Sequence, residues 1–551
     1  MTANKSNPII GITLEGFQVF DKPTYIPLDR LTLLFGPNSA GKSAVQDAIE
    51  LYASLLSDDE HGSKSTSPGS MAKMISFMQP GLNCSTHELL ERHWRRSGGD
   101  DDQWVDTLSL GVTHTTQCSL HDSLGDTLDR RIWGEFLAYE SDAYQLESRW
   151  VFHRVSDESE LTYRSNFEFY IERQLLVRHS HSKLGVNLAH PLLSQTELKV
   201  DFAEVARSYP DLVSLNDGYL AIRGIFEGFH PKGIHSIQMH DTKTYKPPSQ
   251  DQPLLLAALS ELELLMRELL QTATGNSRFK PSVVEASRTV PTRRELIFQF
   301  GNLDDQIEPL LPMLNQSYRL LAASIAHLPL DIQERSLWNR DGVSSYGERV
   351  NRALSNHLFI EQGYCIDHDF RVLMSKANSQ SAVAGQGLNP DEFGYVVELF
   401  LRDGRQRKHL FEDVGSGIGY VLPVLCAAFE SNAISATCFI QQPELHIHPA
   451  LQAAMGDVFV EASAAEKQLL IETHSEHLLL RILKRIRQTH LQVAIAPELK
   501  INADDVCVLY FDPSPDGTTT VKRLRITEDG EFMDRWPRGF FGERDQELLD
   551  E

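Results

Sequence analysis

Apolar positions recur along the chain in two rhythms. Residues 9–20 alternate or run apolar, and Leu31-Thr-Leu-Leu-Phe35 is a short unbroken run, so both predict strands, the second a buried one. Ala44 to Leu56 carries apolar residues at helical spacing, and the polar stretch Ser57 to Ser70, with Asp58, Asp59 and Glu60 at its start, predicts a loop. Alternation returns from about Trp104 to His179, clearest in Leu161 to Val177, and predicts an antiparallel layer beside the first strands. Helical patterns dominate from about Pro191 to Glu334, strongest over Pro253–Leu270, with another over Ile307–Ile325. Ser375 to Pro390 reads as a Ser/Gly/Ala/Gln linker. Tyr395–Leu401 and Arg405–Leu410 flank Asp403-Gly404, a hairpin signal. A helix after Gly417 and strands at Ala436–Ile440 and Gln468–Glu472 then alternate, which predicts a mostly parallel sheet. No internal repeat or sustained heptad is visible.

Composition narrows this. The chain has 551 residues, 41% hydrophobic and 23% charged, enough apolar material for a full core, which excludes global disorder and fibrous classes. Its net charge of −24 opposes nucleic acid overall, so a DNA or RNA contact requires a local basic patch or a basic partner. No apolar run reaches the ~18–20 residues of a membrane helix, and the start is too polar for a signal peptide, so the expectation is a cytoplasmic protein without a membrane contact. The six cysteines are scattered with no Cys-x-x-Cys pair and read as reduced residues, not a disulfide frame or zinc site.

The candidate chemistry starts at Gly36-Pro-Asn-Ser-Ala-Gly-Lys42-Ser43, which fits G-x-x-x-x-G-K-[ST]. Glycines let successive backbone N–H groups turn inward around a polyphosphate, Lys42 adds a point charge, and the Ser43 hydroxyl can hold Mg²⁺. A buried-type strand before the loop and an amphipathic helix after it supply the required context, and the helix aims its positive end at the same phosphates. Gly36, Asn38, Ser39, Ala40, Gly41, Lys42 and Ser43 are therefore the candidate nucleotide-binding residues. An ordinary Gly-rich turn is the bland alternative.

A second set of signals lies far along the chain. Asp413-Val-Gly-Ser-Gly-Ile-Gly-Tyr420 is a glycine-rich turn opening a helix, and Ser416 could be a plain helix cap there. A buried strand runs into Gln441-Gln442-Pro443-Glu444-Leu-His446-Ile-His448-Pro449, with Pro449 suited to the first position of a helix. Leu469-Leu-Ile-Glu-Thr-His474-Ser475 predicts a strand ending in histidine, with Ser475 placed to cap the next helix. The spacing of His446, His448, His474 and His477 is not H-x₃-H on a helix, which argues against zinc. Arg481, Lys484, Arg485 and Arg487 form either a solvated face or a docking strip for nucleic acid or an acidic partner. Arg288, Arg293 and Arg294 read as a short arginine motif or as structural ion pairs.

Taken together, these motifs resemble the ABC-type ATPases of the RecF, SMC and OLD (overcoming lysogenization defect) clan. The opening Ile-Thr-Leu-Glu-Gly-Phe17-Gln-Val-Phe20 and the phosphate loop are similar to that clan's N-terminus, and Pro-Glu-Leu-His-Ile-His-Pro and Glu-Thr-His-Ser-Glu-His-Leu-Leu-Leu-Arg to its late motifs. Gly-Glu-Phe-Met-Asp-Arg-Trp-Pro-Arg-Gly-Phe-Phe541 resembles the tail of a subgroup that includes ATPase subunits of Septu-type anti-phage systems, some attached to retrons. The match covers roughly residues 9–56 and 394–545. It implies an α/β, ABC-type P-loop ATPase head, a mixed sheet with an antiparallel β layer and a helical insertion. The domains would be an N-terminal ATPase lobe (1–190), a mainly helical insertion and linker (191–390), a C-terminal ATPase lobe (391–510) and a C-terminal element (511–551).

By the same resemblance, ATP with Mg²⁺ is the cofactor, and Gly415, Ser416 and Gly417 are a signature loop that reaches the γ-phosphate held by a second copy in a head-to-tail dimer. His474 is the switch histidine near that phosphate. Gln441 stands where a carboxylate usually orients the metal's water shell, and Gln442 where many members have the glutamate that polarises water. An amide cannot take a proton, so hydrolysis should be slow unless Glu444 substitutes.

Three functions remain to be weighed. The first is an ATP-sensing subunit that gates a separate effector of HNH-nuclease type in bacterial defence, with a reverse transcriptase and its RNA/DNA as a further candidate partner. The residues after His474 are too few for an appended nuclease domain, expected to exceed ~100 residues, so the effector would act in trans. The second is a RecF-like repair clamp on DNA, which the acidic balance opposes. The third, a transporter ATPase, is disfavoured by the absent membrane segment and the long interval between phosphate loop and signature.

Overall fold

The computed structural model describes residues 9–56, 76–79, 82–85, 92–95, 105–115, 145–154, 163–171, 174–182, 193–198, 220–227, 230–239, 243–245, 282–286, 295–299, 321, 324–325, 340–374, 393–411, 413–414, 416–430, 437–465 and 467–537. In chain order the strands are β1 (Ile9–Glu15), β2 (Thr24–Pro27), β3 (Leu31–Phe35), β4 (Ser76–Gln79), β5 (Leu82–Ser85), β6 (Thr107–Thr115), β7 (Gln145–Arg154), β8 (Tyr163–Ile171), β9 (Gln174–Ser182), β10 (Leu193–Leu198) and β11 (Leu220–Glu227). There follow β12 (His230–Met239), β13 (Lys243–Tyr245), β14 (Ser282–Val284), β15 (Glu295–Gln299), β16 (Cys365–Met374), β17 (Phe393–Arg402), β18 (Lys408–His409), β19 (Thr437–Gln441), β20 (Gln468–Glu472), β21 (Val506–Pro513) and β22 (Thr519–Leu524). The helices used below are α1 (Lys42–Leu56), α2 (Arg340–Arg352), α3 (Ser416–Phe429), α4 (Pro449–Ala464) and α5 (Glu476–His490). None of the described helices is long and apolar enough to cross a membrane.

The first of two compact units comprises Met1–Asp29, Gly36–Lys280 and Phe511–Lys522. Its main sheet runs β13-β12-β11-β10-β9-β8-β7-β6-β1-β2, and from β6 to β13 each strand pairs antiparallel with its successor. β1 enters against β6, with Ile12 opposite Val112 and Leu14 opposite Leu110. β6 is buried from Leu108 to His114, so it needs apolar or hydrogen-bonded residues on both faces. One cover is α1, whose Ala44, Val45, Ala48, Ile49 and Tyr52 recur at three- and four-residue steps and are buried. The Tyr52 hydroxyl meets the Ser148 hydroxyl on β7.

The second unit comprises Arg30–Phe35, Pro281–Tyr510 and Arg523–Glu551. Its six-stranded sheet has the order β14-β19-β20-β3-β21-β22, parallel from β14 to β21. β3 and β20 are buried at every position, as continuous apolar runs covered on both faces should be. α3 is buried from Val421 to Phe429, and its interior Pro423 removes a donor where the helix is enclosed by the core. β15, β17 and β16 form a separate antiparallel sheet, and β17 turns at Asp403 into β18. The Asp403 carboxylate accepts from the Arg405 and Arg407 amides, both at 2.9 Å, and these bonds hold its pKa well below the usual carboxylate value.

α4 is buried from Ala454 to Ser463 yet carries two acids, each met by bases from a different helix. Asp457 accepts from Arg481 Nη1 at 2.6 Å and from Arg485 Nε at 2.7 Å, while Glu461 lies 3.0 Å from His357 Nε2 and 3.5 Å from Arg352 Nη1. A buried carboxylate is tolerable only when paired in this way. At the C-terminal end, Trp536 packs edge-on against Phe35 at 5.2 Å, Phe532 at 5.2 Å and Tyr510 at 6.4 Å, covering the ends of β3 and β21.

The mixed α/β class and both kinds of sheet agree with the sequence pattern, but the interior of the chain differs. Residues 191–390 were expected to be mainly helical, and their described parts contain β10 to β16 along with α2. The boundary expected at residue 190 falls inside the antiparallel sheet, which continues to β13. Pro253–Leu270, most of Ile307–Ile325 and the linker Ser375–Pro390 lie outside the described residues.

Candidate functional site

The phosphate loop follows β3 directly in the chain. Its backbone conformation is special at three places: φ is 140° at Gly36, 62° at Ser39 and 88° at Gly41. Left-handed residues among right-handed ones turn consecutive N–H groups to one side, an anion-binding nest. A Cβ at Gly36 would sit 2.5 Å from the Phe511 carbonyl oxygen, and one at Gly41 would collide with the Val19 side chain. Glycine is thus required twice, by conformation and by space. Lys42 opens α1 and is buried, with Nζ donating to the Gly36 and Pro37 carbonyls at 3.0 and 2.9 Å. Asn38, Ser39 and Ser43 are exposed and Ala40 is buried. Backbone donors, one ammonium and a hydroxyl at a helix start form a set that fits a nucleotide polyphosphate with Mg²⁺. Lys42 and Ser43 are the residues that would hold the terminal phosphates and the metal.

The loop's approach is braced by residues the sequence reading did not single out. Gln18 Nε2 donates to Asp47 Oδ2 on α1 at 2.7 Å and lies 2.8 Å from His93 Nδ1, so that nitrogen is the acceptor. His93 stacks on Phe17 at 5.3 Å, and Arg95 donates to the Gln18 and Gly517 carbonyls. Burial lowers the pKa of His93, opposed by the Asp47 carboxylate. Gln18 is left-handed at φ 49°, a signal that only coordinates reveal.

In the second unit the distal candidates gather at one edge of the parallel sheet. β19, β20 and β3 run in the same direction, so their C-terminal ends share an edge, the position where open α/β sheets place ligands. Gln441 ends β19 and its Oε1 accepts from the Ala286 amide at 3.2 Å. Gln442 follows in a left-handed conformation, φ 42°, and its amide donates to the Glu472 carbonyl at 2.7 Å. His446 is also left-handed at φ 60° and its ring lies 4.6 Å from that of Tyr420 on α3. His448 caps α4 through Nδ1, which accepts from the Ala450 amide at 3.2 Å, with Pro449 at the first helical position.

Glu444 reaches across to the turn after β20. Its Oε2 accepts from Thr473 Oγ1 at 2.9 Å and its Oε1 from the His474 amide at 2.6 Å. Thr473 is fully buried and its amide donates to the Leu34 carbonyl of β3 at 3.1 Å. Ser475 caps α5 by accepting from the Leu478 amide at 3.2 Å, and its hydroxyl donates to Gln452 Oε1 at 2.8 Å. Gln441, Gln442, Glu444 and His474 thus lie in one connected turn system. Thr473 and Gln452, which hold it together, had no motif of their own.

Ser416 starts α3, and a Cβ at Gly417 would meet open space; Gly415 lies outside the described residues. Of the α5 bases, Arg481, Arg485 and Arg487 are engaged within the unit and Lys484 is exposed. Arg481 and Arg485 bind Asp457, and Arg487 pairs with Glu531 and the Asp529 carbonyl. Arg288, Arg293 and Arg294 lie outside the described residues. Among the described residues no cluster of three or more metal-binding side chains is present.

Comparison with known proteins bears on this arrangement. Residues 302–481, which include Ser416, Gly417, the Gln441–His448 turn and His474, match the family "AAA domain, putative AbiEii toxin, Type IV TA system". That match covers the distal candidates and not the phosphate loop. Residues 501–550 match a second family, described as a protein of unknown function (DUF3696). No curated protein matches the chain significantly. Among solved structures, an SMC head bound to the C-winged helix domain of ScpA is similar at 11% identity and TM-score 0.39, over 94% of this chain and 98% of that one. The SMC head domain from Thermotoga maritima is similar at 9% identity and TM-score 0.35, over 94% and 99%. An SMC head domain with an extended coiled coil, derived from Pyrococcus furiosus, is similar at 10% identity and TM-score 0.33, over 99% of each chain. Scores this low leave the fold to be decided by the sheets themselves.

Proposed function

We propose that the chain is an ATP-binding, slowly hydrolysing ATPase that works as a head-to-tail dimer and controls a separate effector nuclease in bacterial anti-phage defence, in the manner of Septu-type systems. The observation that carries the slow hydrolysis is the pair Gln441-Gln442 at the end of β19, where one amide is bonded to the Ala286 backbone and the other residue sits in a left-handed turn. Neither can accept a proton, so water activation lacks its usual base. ATP then serves chiefly as a clamp: Lys42 and Ser43 hold triphosphate and Mg²⁺, and Ser416 with its flanking glycines reads the nucleotide held by the second copy. A trigger that changes the clamped state would release an HNH-type partner. The cytoplasm is the expected location, and a reverse transcriptase with its nucleic acid is a further candidate partner.

The RecF-like clamp is less well supported. Its best DNA-facing strip was the basic side of α5, and Arg481 and Arg485 are engaged with Asp457. Purified protein tests the main reading: it should retain ATP, form dimers with ATP and Mg²⁺, and turn over far below one ATP per second, about the lower end of ordinary enzyme rates. Rapid steady-state turnover, or a monomer that retains no nucleotide, overturns it. Co-purification with the products of neighbouring genes identifies the effector.

A further inference from the structure

We infer that Glu444 is a positioning residue that sets the His474 backbone, and that it does not stand in for the missing catalytic base. This rests on the ATPase reading above and specifies how its switch histidine is held. A base needs an oxygen directed at the attacking water, within about hydrogen-bond reach. Here each carboxylate oxygen of Glu444 is directed at a protein donor: Oε1 takes the His474 N–H at 2.6 Å and Oε2 takes the Thr473 hydroxyl at 2.9 Å. The Thr473 hydroxyl cannot turn away cheaply, because its oxygen accepts from the Ser475 amide at 3.0 Å and its proton therefore points to Glu444.

The connections on both sides make the contact a brace. On one side, the Glu444 carbonyl lies 3.4 Å from Gln452 Nε2, which also donates to the Ile447 carbonyl at 3.2 Å and so ties the β19 turn to α4. On the other, Gln452 Oε1 accepts from the Ser475 hydroxyl that caps α5. Thr473 is anchored in turn to β3, the strand that leads into the phosphate loop. The residues that end β19 and β20 are thereby held in one geometry, with His474 between two fixed neighbours. A charged acceptor makes the His474 bond short and strong, and its loss frees the residue that the mechanism needs still.

The chemistry of the two roles separates on substitution. Glutamine keeps a carbonyl oxygen for the His474 amide and gives up only the Thr473 contact, whereas it cannot act as a base. Alanine removes both functions. The experiment measures single-turnover ATP hydrolysis and backbone amide exchange at His474 in the full-length parent, Glu444→Gln, Glu444→Ala and Thr473→Val. Positioning predicts that Glu444→Ala speeds His474 exchange and slows hydrolysis by about tenfold or more, the loss of a hydrogen bond to a charged group, with Glu444→Gln within about threefold of the parent in both. Thr473→Val, which removes the Oε2 contact and the acceptor of the Ser475 amide but leaves the His474 bond in place, should fall between them. Glu444→Gln as inactive as Glu444→Ala with His474 still protected overturns the inference and makes Glu444 the base. Equal exchange at His474 in all four proteins also overturns it. If exchange follows the predicted order while no variant binds or hydrolyses ATP differently, the brace stands and the ATPase reading fails. Exchange in β20 serves as the folding control, so a variant that has lost its fold is recognised and Thr473→Val then carries the comparison.

Discussion

The two regions that carry the candidate chemistry are built on opposite principles. The phosphate loop is shaped by the main chain: glycines at positive φ, close approach of Phe511 and Val19, and a lysine bonded to loop carbonyls. The turns after β19 and β20 are shaped by side chains: a carboxylate, a threonine, a glutamine and a serine in one hydrogen-bonded series. Backbone-built sites tolerate no Cβ where glycine is required, while side-chain-built sites tolerate replacements that preserve donors and acceptors. That difference explains why a consensus string finds the first region and only a set of weak strings finds the second.

The comparison can be broken or sharpened by experiment. The largest effect should come from Gly41→Val, which puts a branched side chain at φ 88° into the space of Val19 and should abolish nucleotide retention in a filter or fluorescence assay. If that variant binds ATP like the parent, the loop is not the backbone-built site described. Next, Gln442→Glu restores a proton acceptor at the end of β19 and should raise ATP turnover about a hundredfold, the lower range of general-base contributions. An unchanged rate would mean the turn does not face the reacting water. Asp457→Ala strands Arg481 and Arg485 and should destabilise the protein by about 3 kcal/mol in denaturant unfolding, the cost of breaking a buried pair.

The smallest effect is a pH dependence in the first unit. Burial depresses the pKa of His93 below its ordinary 6.5, and protonation would put a proton on the nitrogen that accepts from Gln18. The unfolded chain therefore binds the proton first as pH falls. Stability from this group is held in full above about pH 6.5 and is lost as pH drops from there through the lower folded value. Thermal unfolding between pH 7 and 5 measures it, and the slope should shrink in His93→Gln.

Much of this was legible beforehand, for identifiable reasons. Leu31–Phe35 is an unbroken apolar run and is buried throughout; Asp403-Gly404 marks a real hairpin; Ser475 and Pro449 sit at the helix positions their chemistry prefers. Each of these is a local preference expressed within a few residues. Within 191–390 the described residues include β10 to β16, and it is pairing with β9 that commits β10 and its successors to the sheet. The basic side of α5 was legible as charge, but its partner Asp457 lies on the preceding helix and becomes visible only when the two pack.

Sequence alone pointed to the phosphate loop, because the spacing of its glycines and its lysine is a local pattern, although the close approach of Phe511 to Gly36 shows only in the fold. It also determined that glutamines end β19. Only the tertiary structure decided what Glu444 does, since an acid near a strand end can be a base, a metal ligand or a brace until its donors are known. Those donors, Thr473 and the His474 amide, come from another strand brought alongside by the sheet, and long-range pairing of that kind leaves no local trace in the chain.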